Sequence, residues 1–259
     1  MKGIIKNFMH YRHFLLENVK KDIKLKYRSS YLGLVWTLVE PLLEMIVLTY
    51  IFGTLFGNSE KSYPVYILCG RLLFRFYSGS TKSCVRSIRS NSGMIKKVYV
   101  PKYLYPLSSI LSNYVTFGIS LIVLAVVSLV LGVYPTWYTL GAIVPLLLMF
   151  FLAFGTGMIL ATAGVFFRDC EYLWSVMLTL IMYTCAIFYK EDRFAALGKD
   201  WILKYNPLYC IIKNFRLCII DAQPLDLTSC LYALTIGVVL SIIGLIMFNK
   251  NQDKFILHV

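Results

Sequence analysis

The chain has 259 residues, of which 58% are hydrophobic and 15% charged, with a formal net charge of +13. About six apolar runs account for that bias, and 259 residues cannot bury so much apolar length in a water-soluble core, so the chain is expected to be a polytopic membrane protein. The 26 Lys and Arg against 13 acids sit between the runs, as retention of cations beside spans in the cytoplasm predicts, and no arginine-rich stripe with interleaved aromatics points to nucleic acid.

Residues 1–30 are polar and basic, with no cleavable signal pattern. Phe8, Tyr11, Leu15, Val19 and Ile23 fall near helical spacing, with Lys20, Lys21, Lys24 and Lys26 between and after them. That pattern predicts an amphipathic helix in the cytoplasmic membrane interface. Expected spans cover 31–56, 63–84, 107–131, 140–167, 172–189 and 230–248. Polar turns separate them at Gly57-Asn58-Ser59-Glu60-Lys61 and at Gly132-Val133-Tyr134-Pro135, and Arg168 with Asp169 reads as a helix-end ion pair closing the fourth. With the amino terminus inside, seventeen Lys and Arg lie on the cytoplasmic side and seven on the other. Both termini are therefore expected in the cytoplasm. Between the last two spans, 190–228 contains apolar pieces too short to cross, broken at Asn206-Pro207. These read as re-entrant or interfacial helices on the outer side. The predicted fold is all-α, with six transmembrane helices, an interface helix over 1–30 and a transmembrane domain over 31–259.

Besides Lys82 at the end of the second, four charges lie within expected spans. Glu40 and Glu44 are four apart, as are Arg71 and Arg75, so each pair shares a helix face. Adjacent spans run antiparallel, which sets Glu44 beside Arg71 and Glu40 beside Arg75 in depth at ~1.5 Å per residue. An unpaired charge there costs ~2.5–3.5 kcal/mol on insertion scales, so the four form either an interhelical clamp or the polar lining of a pathway. The seven cysteines form no CxxC pair and have no nearby His. They read as buried thiols, with a disulfide between Cys210 and Cys218 as the alternative, and no metal site is expected. No phosphate-binding glycine loop, GxSxG or HExxH occurs. No catalytic residue is assigned, and energy has to come from a partner or a gradient. His10, His13 and His258 lie at the termini.

Between the second and third spans, Ser90 to Val100 opens on polar capping residues, presents Ile95, Val98 and Tyr99 on one side and meets Pro101. A short amphipathic stub of this kind can dock into a groove on a soluble partner. The run M-I-K-K-V-Y-V-P-K-Y-L-Y-P-L-S-S resembles the corresponding loop of ABC-2 type permeases that export bacterial cell-surface polysaccharides, including O-antigen, capsule and wall teichoic acid. The resemblance extends over nearly the whole chain. It includes K-L-K-Y-R-S-S-Y-L-G-L-V-W-T-L-V-E-P-L-L at the first span, Y-P-V-Y-I-L-C-G in the second, V-F-F-R-D ending the fourth and Y-N-P-L-Y before the last. Glu40 stands where many relatives carry Asn, and Arg71 and Arg75 fall in a region often uncharged in them.

The resemblance implies a homodimer in the cytoplasmic (inner) membrane, with two copies of a separate ATPase subunit. ATP and Mg bind that partner, and this chain binds no cofactor. The implied cargo is a surface polysaccharide or teichoic acid on a polyprenyl-diphosphate lipid. Ser92, Gly93, Met94, Ile95, Lys96, Lys97, Val98 and Tyr99 would form the coupling helix, and the pieces over 190–228 the outer gate helices. Sugar faces stack on aromatic rings, which makes Trp36, Tyr50, Phe52, Tyr66, Phe74, Phe76 and Tyr77 candidates for the pathway beside the four charges. Arg12, Lys20, Lys24 and Arg28 are candidates for contact with the lipid diphosphate and with membrane lipids. The alternatives are an ABC-2 permease for drugs or small lipids, and a membrane-embedded transferase using Asp169 and Glu171.

Overall fold

The computed structural model describes residues 11–28, 30–56, 60–97, 100–191, 198 and 200–255. Phe8, His10, Val98, Tyr99 and His258 lie outside the described residues, as does the Gly57-Asn58-Ser59 part of the first turn. All regular structure among the described residues is helical. In chain order the helices are α1 (Arg12–Tyr27), α2 (Trp36–Phe56), α3 (Tyr63–Ser90), α4 (Ser92–Ile95), α5 (Leu104–Val130), α6 (Ile143–Phe166), α7 (Cys170–Thr184), α8 (Asp200–Lys204), α9 (Pro207–Ile219) and α10 (Leu227–Asn251). Short 3-10 turns at Gly33–Val35 and Trp137–Ala142 lead into α2 and α6.

Among the described residues, four helical stretches are long and apolar enough to cross a membrane: Gly33–Leu55, Leu104–Val130, Trp137–Phe166 and Leu227–Lys254. The other two expected spans depart for different reasons. Helix α3 has 28 residues, ample length at ~1.5 Å each, but Arg71 and Arg75 and a basic last third dilute its hydropathy. Helix α7 has 15 residues, about 22 Å, which is short of the ~30 Å hydrocarbon core. The expected helix over 172–189 breaks after Thr184.

The centre of the bundle is α6, packed against α10 on one side and α3 on the other. With lipid as solvent, helices associate through close backbone approach more than through hydrophobicity, and small residues permit it here. A Cβ added to Gly155 would stand 2.5 Å from the Ser241 backbone nitrogen, and one on Gly244 would stand 2.8 Å from the Gly155 carbonyl oxygen. Helix α10 begins at an N-cap, where the Asp226 carboxylate accepts from the Thr228 N–H at 3.1 Å and hydroxyl at 2.5 Å. The hydrogen bonds from Thr228 hold that carboxyl below its ordinary range.

Helix α1 uses its apolar stripe on protein. Leu15, flanked by Tyr11 and Phe14, packs with Val100 and Leu104 at the start of α5, and Phe14 meets Tyr105 edge-on at 5.7 Å. Its cations Arg12, Lys20, Lys24 and Arg28 are exposed. The predicted outer pieces correspond to α8 and α9. Asn206 caps α9 by accepting from the N–H groups of Leu208 (3.1 Å) and Tyr209 (3.4 Å), and Pro207 supplies the first helical residue, which needs no donor. Buried Asn214 then ties α9 to the start of α10, donating to the Cys210 carbonyl (2.9 Å) and Ser229 Oγ (2.7 Å) and accepting from the Asp226 N–H (2.8 Å).

Candidate functional site

Helix α2 runs beside α3, and the two expected charge pairs meet across the contact. Arg71 donates through Nε to Glu44 Oε2 at 2.9 Å and through Nη2 to Oε1 at 3.3 Å, a forked pairing. Its remaining Nη1 reaches the Met182 sulfur on α7 at 3.3 Å. One turn away, Arg75 pairs with Glu40. These are not core side chains: Arg71 and Glu44 are 25% and 28% exposed, and Arg75 and Glu40 are 30% and 45% exposed. Charges on α2, which is long and apolar enough to cross a membrane, have no stable place against hydrocarbon. The α2–α3 face therefore looks onto something polar.

The second feature of the site is the interruption after α7. Residues Cys185 to Phe188 are buried, and Ala186 has φ +47°, so the backbone there makes no helical ladder. Its carbonyls are collected by side chains from two other elements. Tyr63 Oη donates to the Phe188 carbonyl at 2.8 Å, and Tyr66 Oη to the Tyr189 carbonyl at 2.9 Å. From α9, Arg216 donates to the carbonyls of Ala186 (2.9 Å), Ile187 (3.2 Å) and Tyr66 (3.1 Å). Its guanidinium lies 3.4 Å over the Tyr66 ring. Arg216 is 5% exposed, and Gly70 makes room for it, since a Cβ there would stand 2.6 Å from Arg216 Nη2. Sequence inspection counted Arg216 among external cations and missed this role. The only available signal was its place on the same helix as Asn214, amid otherwise apolar residues. Above the interruption lies a polar cleft of about 400 Å³ lined by Glu60, Tyr63, Tyr66, Lys190, Glu191 and Asp221. Lys190 bridges it to Glu60 at 2.6 Å.

At the opposite end, α7 is fastened to α3. Glu171 pairs with Arg86 and, at 3.6 Å, with Arg89, while Trp174 Nε1 donates to Thr81 Oγ1 at 2.9 Å. Among the described residues no ion pair joins Arg168 to Asp169. Asp169 occupies the N-cap position of α7, and the acid that finds arginines is Glu171. The loop after α3 forms the four-residue α4, which ends at Ile95, six residues before Pro101. Gly93, Lys96 and Lys97 are exposed there, while Met94 and Ile95 are half-buried against the bundle.

The remaining candidates separate by burial. Phe74, Phe76 and Tyr77 lie in the packed interior of the chain, with Phe76 against Tyr114 and Phe117 at 5.3 Å each. Phe52 stacks on Phe188 at 4.8 Å, joining α2 to the interrupted segment. Trp36 and Tyr50 are exposed. Lys20, Lys24 and Arg28 border one open cleft with Glu17, and Lys20 bridges Glu17 at 2.8 Å; Arg12 stands apart from it. All seven cysteines are free thiols, and among the described residues no His, Cys, Asp and Glu cluster could hold a metal.

Comparison with known proteins gives the frame for this geometry. The chain is 30% identical to the O-antigen export system permease protein RfbA of Klebsiella pneumoniae, over 91% of this chain and 90% of that one. It is 24% identical to the protein of the same name from Myxococcus xanthus, over 98% of each. With the polysialic acid transport protein KpsM of Escherichia coli it shares 20% identity, over 91% of this chain and 92% of that one. The model of the ABC-2 type transporter family matches residues 14–220. The chain belongs to the ABC-2 type transporter family.

Proposed function

We propose that the chain is the membrane permease subunit of an ATP-driven exporter that moves a lipid-linked surface polysaccharide across the cytoplasmic membrane. It is a transport subunit and not an enzyme, in keeping with relatives named as permease and transport proteins. The observation that carries the reading is the α2–α3 face, where two Glu–Arg pairs stand half open within the span. A sugar polymer offers hydroxyls to such pairs, and a lipid chain does not. In this reading two copies of the chain face each other across that surface, and the pairs line the path between them.

The six-span topology with both termini in the cytoplasm belongs to the same proposal. Helix α3 crosses in spite of its arginines because each has a carboxylate partner. The fifth crossing combines α7 with the interrupted segment. Irregular backbone at membrane depth is tolerated when its polar groups are satisfied by protein, and Tyr63, Tyr66 and Arg216 satisfy them here. Helices α8 and α9 then lie on the outer side and do not cross. Helix α4 with Lys96, Lys97, Val98 and Tyr99 is the surface for a separate ATPase, two copies per dimer. The transferase alternative needs acids free for metal or base work, but Glu171 is engaged by Arg86 and Arg89.

The test is purification of the tagged full-length chain from its native membrane in mild detergent. A stoichiometric ATPase subunit is expected to copurify, and to be lost when Ile95, Val98 and Tyr99 are all replaced by Glu. A clean homomer without an ATPase would refute the exporter reading.

A further inference from the structure

A second polar region lies where α1 crosses the ends of α3 and α5. Two cavities of about 150 and about 610 Å³ share Lys26, Gly79, Lys82, Asn113 and Thr116 in their walls, and so form one cleft. Its two sides are built at helical spacing. On α5 the wall residues are Ser109, Ser112, Asn113 and Thr116; on α3 they follow from Gly79 through Lys82, Ser83 and Arg86 to Ser90. Each set lies on one face of its helix. Asn113 Nδ2 donates to Ser83 Oγ at 3.3 Å and to the Ser109 carbonyl at 2.8 Å, joining the two sides. Helix α1 forms the roof with Asp22, Ile23, Leu25 and Lys26. It is pinned there by Lys21 Nζ donating to Asn91 Oδ1 at 3.1 Å.

Retention of cations beside spans accounts for lysines near this membrane face. It does not account for two facing stripes of hydroxyl and amide groups that continue from the apolar contact of Phe76 with Phe117 toward Ser90 and Ser109. Such stripes around a cavity of several hundred Å³ suit a polar occupant. The charges say which kind. Lys26, Arg75, Lys82 and Arg86 line the cleft against one carboxylate, Asp22; Arg75 is taken up by Glu40 and Arg86 is shared with Glu171. Lys26 lies 5.6 Å from the Tyr27 ring centroid, and among the described residues neither Lys26 nor Lys82 has a carboxylate in bridging range. A neutral sugar is usually held by carboxylates and stacked rings. Ammonium groups with hydroxyl donors match the non-bridging oxygens of phosphate. Exposed Leu25 at the rim offers apolar contact to a hydrocarbon tail.

We propose that the cleft between α1, α3 and α5 binds the diphosphate headgroup of an anionic lipid, with Lys26 and Lys82 as its ionic contacts and the Ser83 hydroxyl, held by Asn113, as a donor. The choice of a lipid diphosphate rests on the exporter reading above; the choice of a phosphate-type anion rests on the cleft alone. Within the chain, this moves the headgroup site from the side of α1 that carries Lys20, Lys24 and Arg28 to the side facing α3 and α5, where Lys26 and Lys82 are likewise exposed and open to a ligand.

The experiment is isothermal titration of the full-length chain in neutral detergent with farnesyl diphosphate, inorganic diphosphate and farnesol. Farnesyl diphosphate is expected to bind saturably and to be displaced by inorganic diphosphate, with farnesol inert. Lys26→Gln with Lys82→Gln is expected to weaken binding about tenfold or more, the scale of losing charge-assisted hydrogen bonds. Lys82→Arg should restore most of it, and Lys250→Gln with Lys254→Gln should leave it unchanged. Undiminished binding by the Lys26/Lys82 double variant, eluting as a folded species, would overturn the site. Equal affinity for farnesyl and inorganic diphosphate would overturn the lipid source. The readout needs neither ATPase nor polymer, so a chain that binds no ATPase sinks the exporter reading while leaving this result standing.

Discussion

An ion pair on a water-exposed surface contributes ~0–1 kcal/mol, and its loss is usually silent. Glu44 and Arg71 differ because each is largely buried between α2, α3 and α7. Removing one leaves the other unpaired within a span, at a cost of ~2.5–3.5 kcal/mol or more. Arg71→Glu, which sets two carboxylates together, is expected to abolish polymer export and to lower the amount of folded chain in the membrane. Adding Glu44→Arg re-forms the pair with reversed polarity and should recover folding. If the double variant recovers folded chain but not export, the face is sensitive to the direction of charge, as a lining would be and a simple clamp would not. The pairing was legible in the sequence because the spacing of four on each helix and the short connection fix relative depth. Arg216 was not legible, because its partners are carbonyls of residues far away in sequence, and carbonyls leave no trace in residue identity.

At the scale of elements, the interrupted segment after α7 depends on one side chain from α9 and two from α3. Each buried carbonyl left without a donor costs ~1–3 kcal/mol. Arg216→Met removes donors from the Ala186 and Ile187 carbonyls of that segment and is expected to lower stability by ~1–3 kcal/mol, read as an earlier midpoint in thermal unfolding in detergent. Arg216→Lys keeps the charge but loses the planar fork and should fall between. A midpoint for Arg216→Met equal to the parent's would mean that the segment is held by packing alone. Helix α1 shows a related point about patterns. Its apolar spacing predicts a helix and a sided one, and both are present. Periodicity does not say whether the covering surface is lipid or protein, and here the start of α5 covers it.

Across the whole molecule, the rigid part is the α3–α6–α10 packing, and α2 lies at its margin with Leu43, Ile46, Val47 and Tyr50 exposed. A bulky residue at the Gly155–Gly244 contact should force α6 and α10 apart. Gly244→Ile is therefore expected to yield little monodisperse chain by size exclusion. Gly118→Ile serves as the control, because a Cβ at Gly118 meets nothing within 4 Å, and it should elute like the parent. Equal elution of both variants would show that the close approach is not needed.

Features set by the membrane itself were determined by the sequence alone. The apolar runs had to match bilayer thickness, the charges inside them had to find partners at equal depth, and Asn206-Pro207 had to break the apolar stretch around it, since proline brings no donor to continue a helix. Four apolar spans, the two ion pairs and the break before α9 all follow from those local constraints. Only the tertiary structure decided where α7 stops, what collects its freed carbonyls, and that hydroxyl stripes on α3 and α5 face each other under α1. Those outcomes depend on contacts between residues far apart in the chain. A helical period records which side of a helix is special, but not which neighbour meets it.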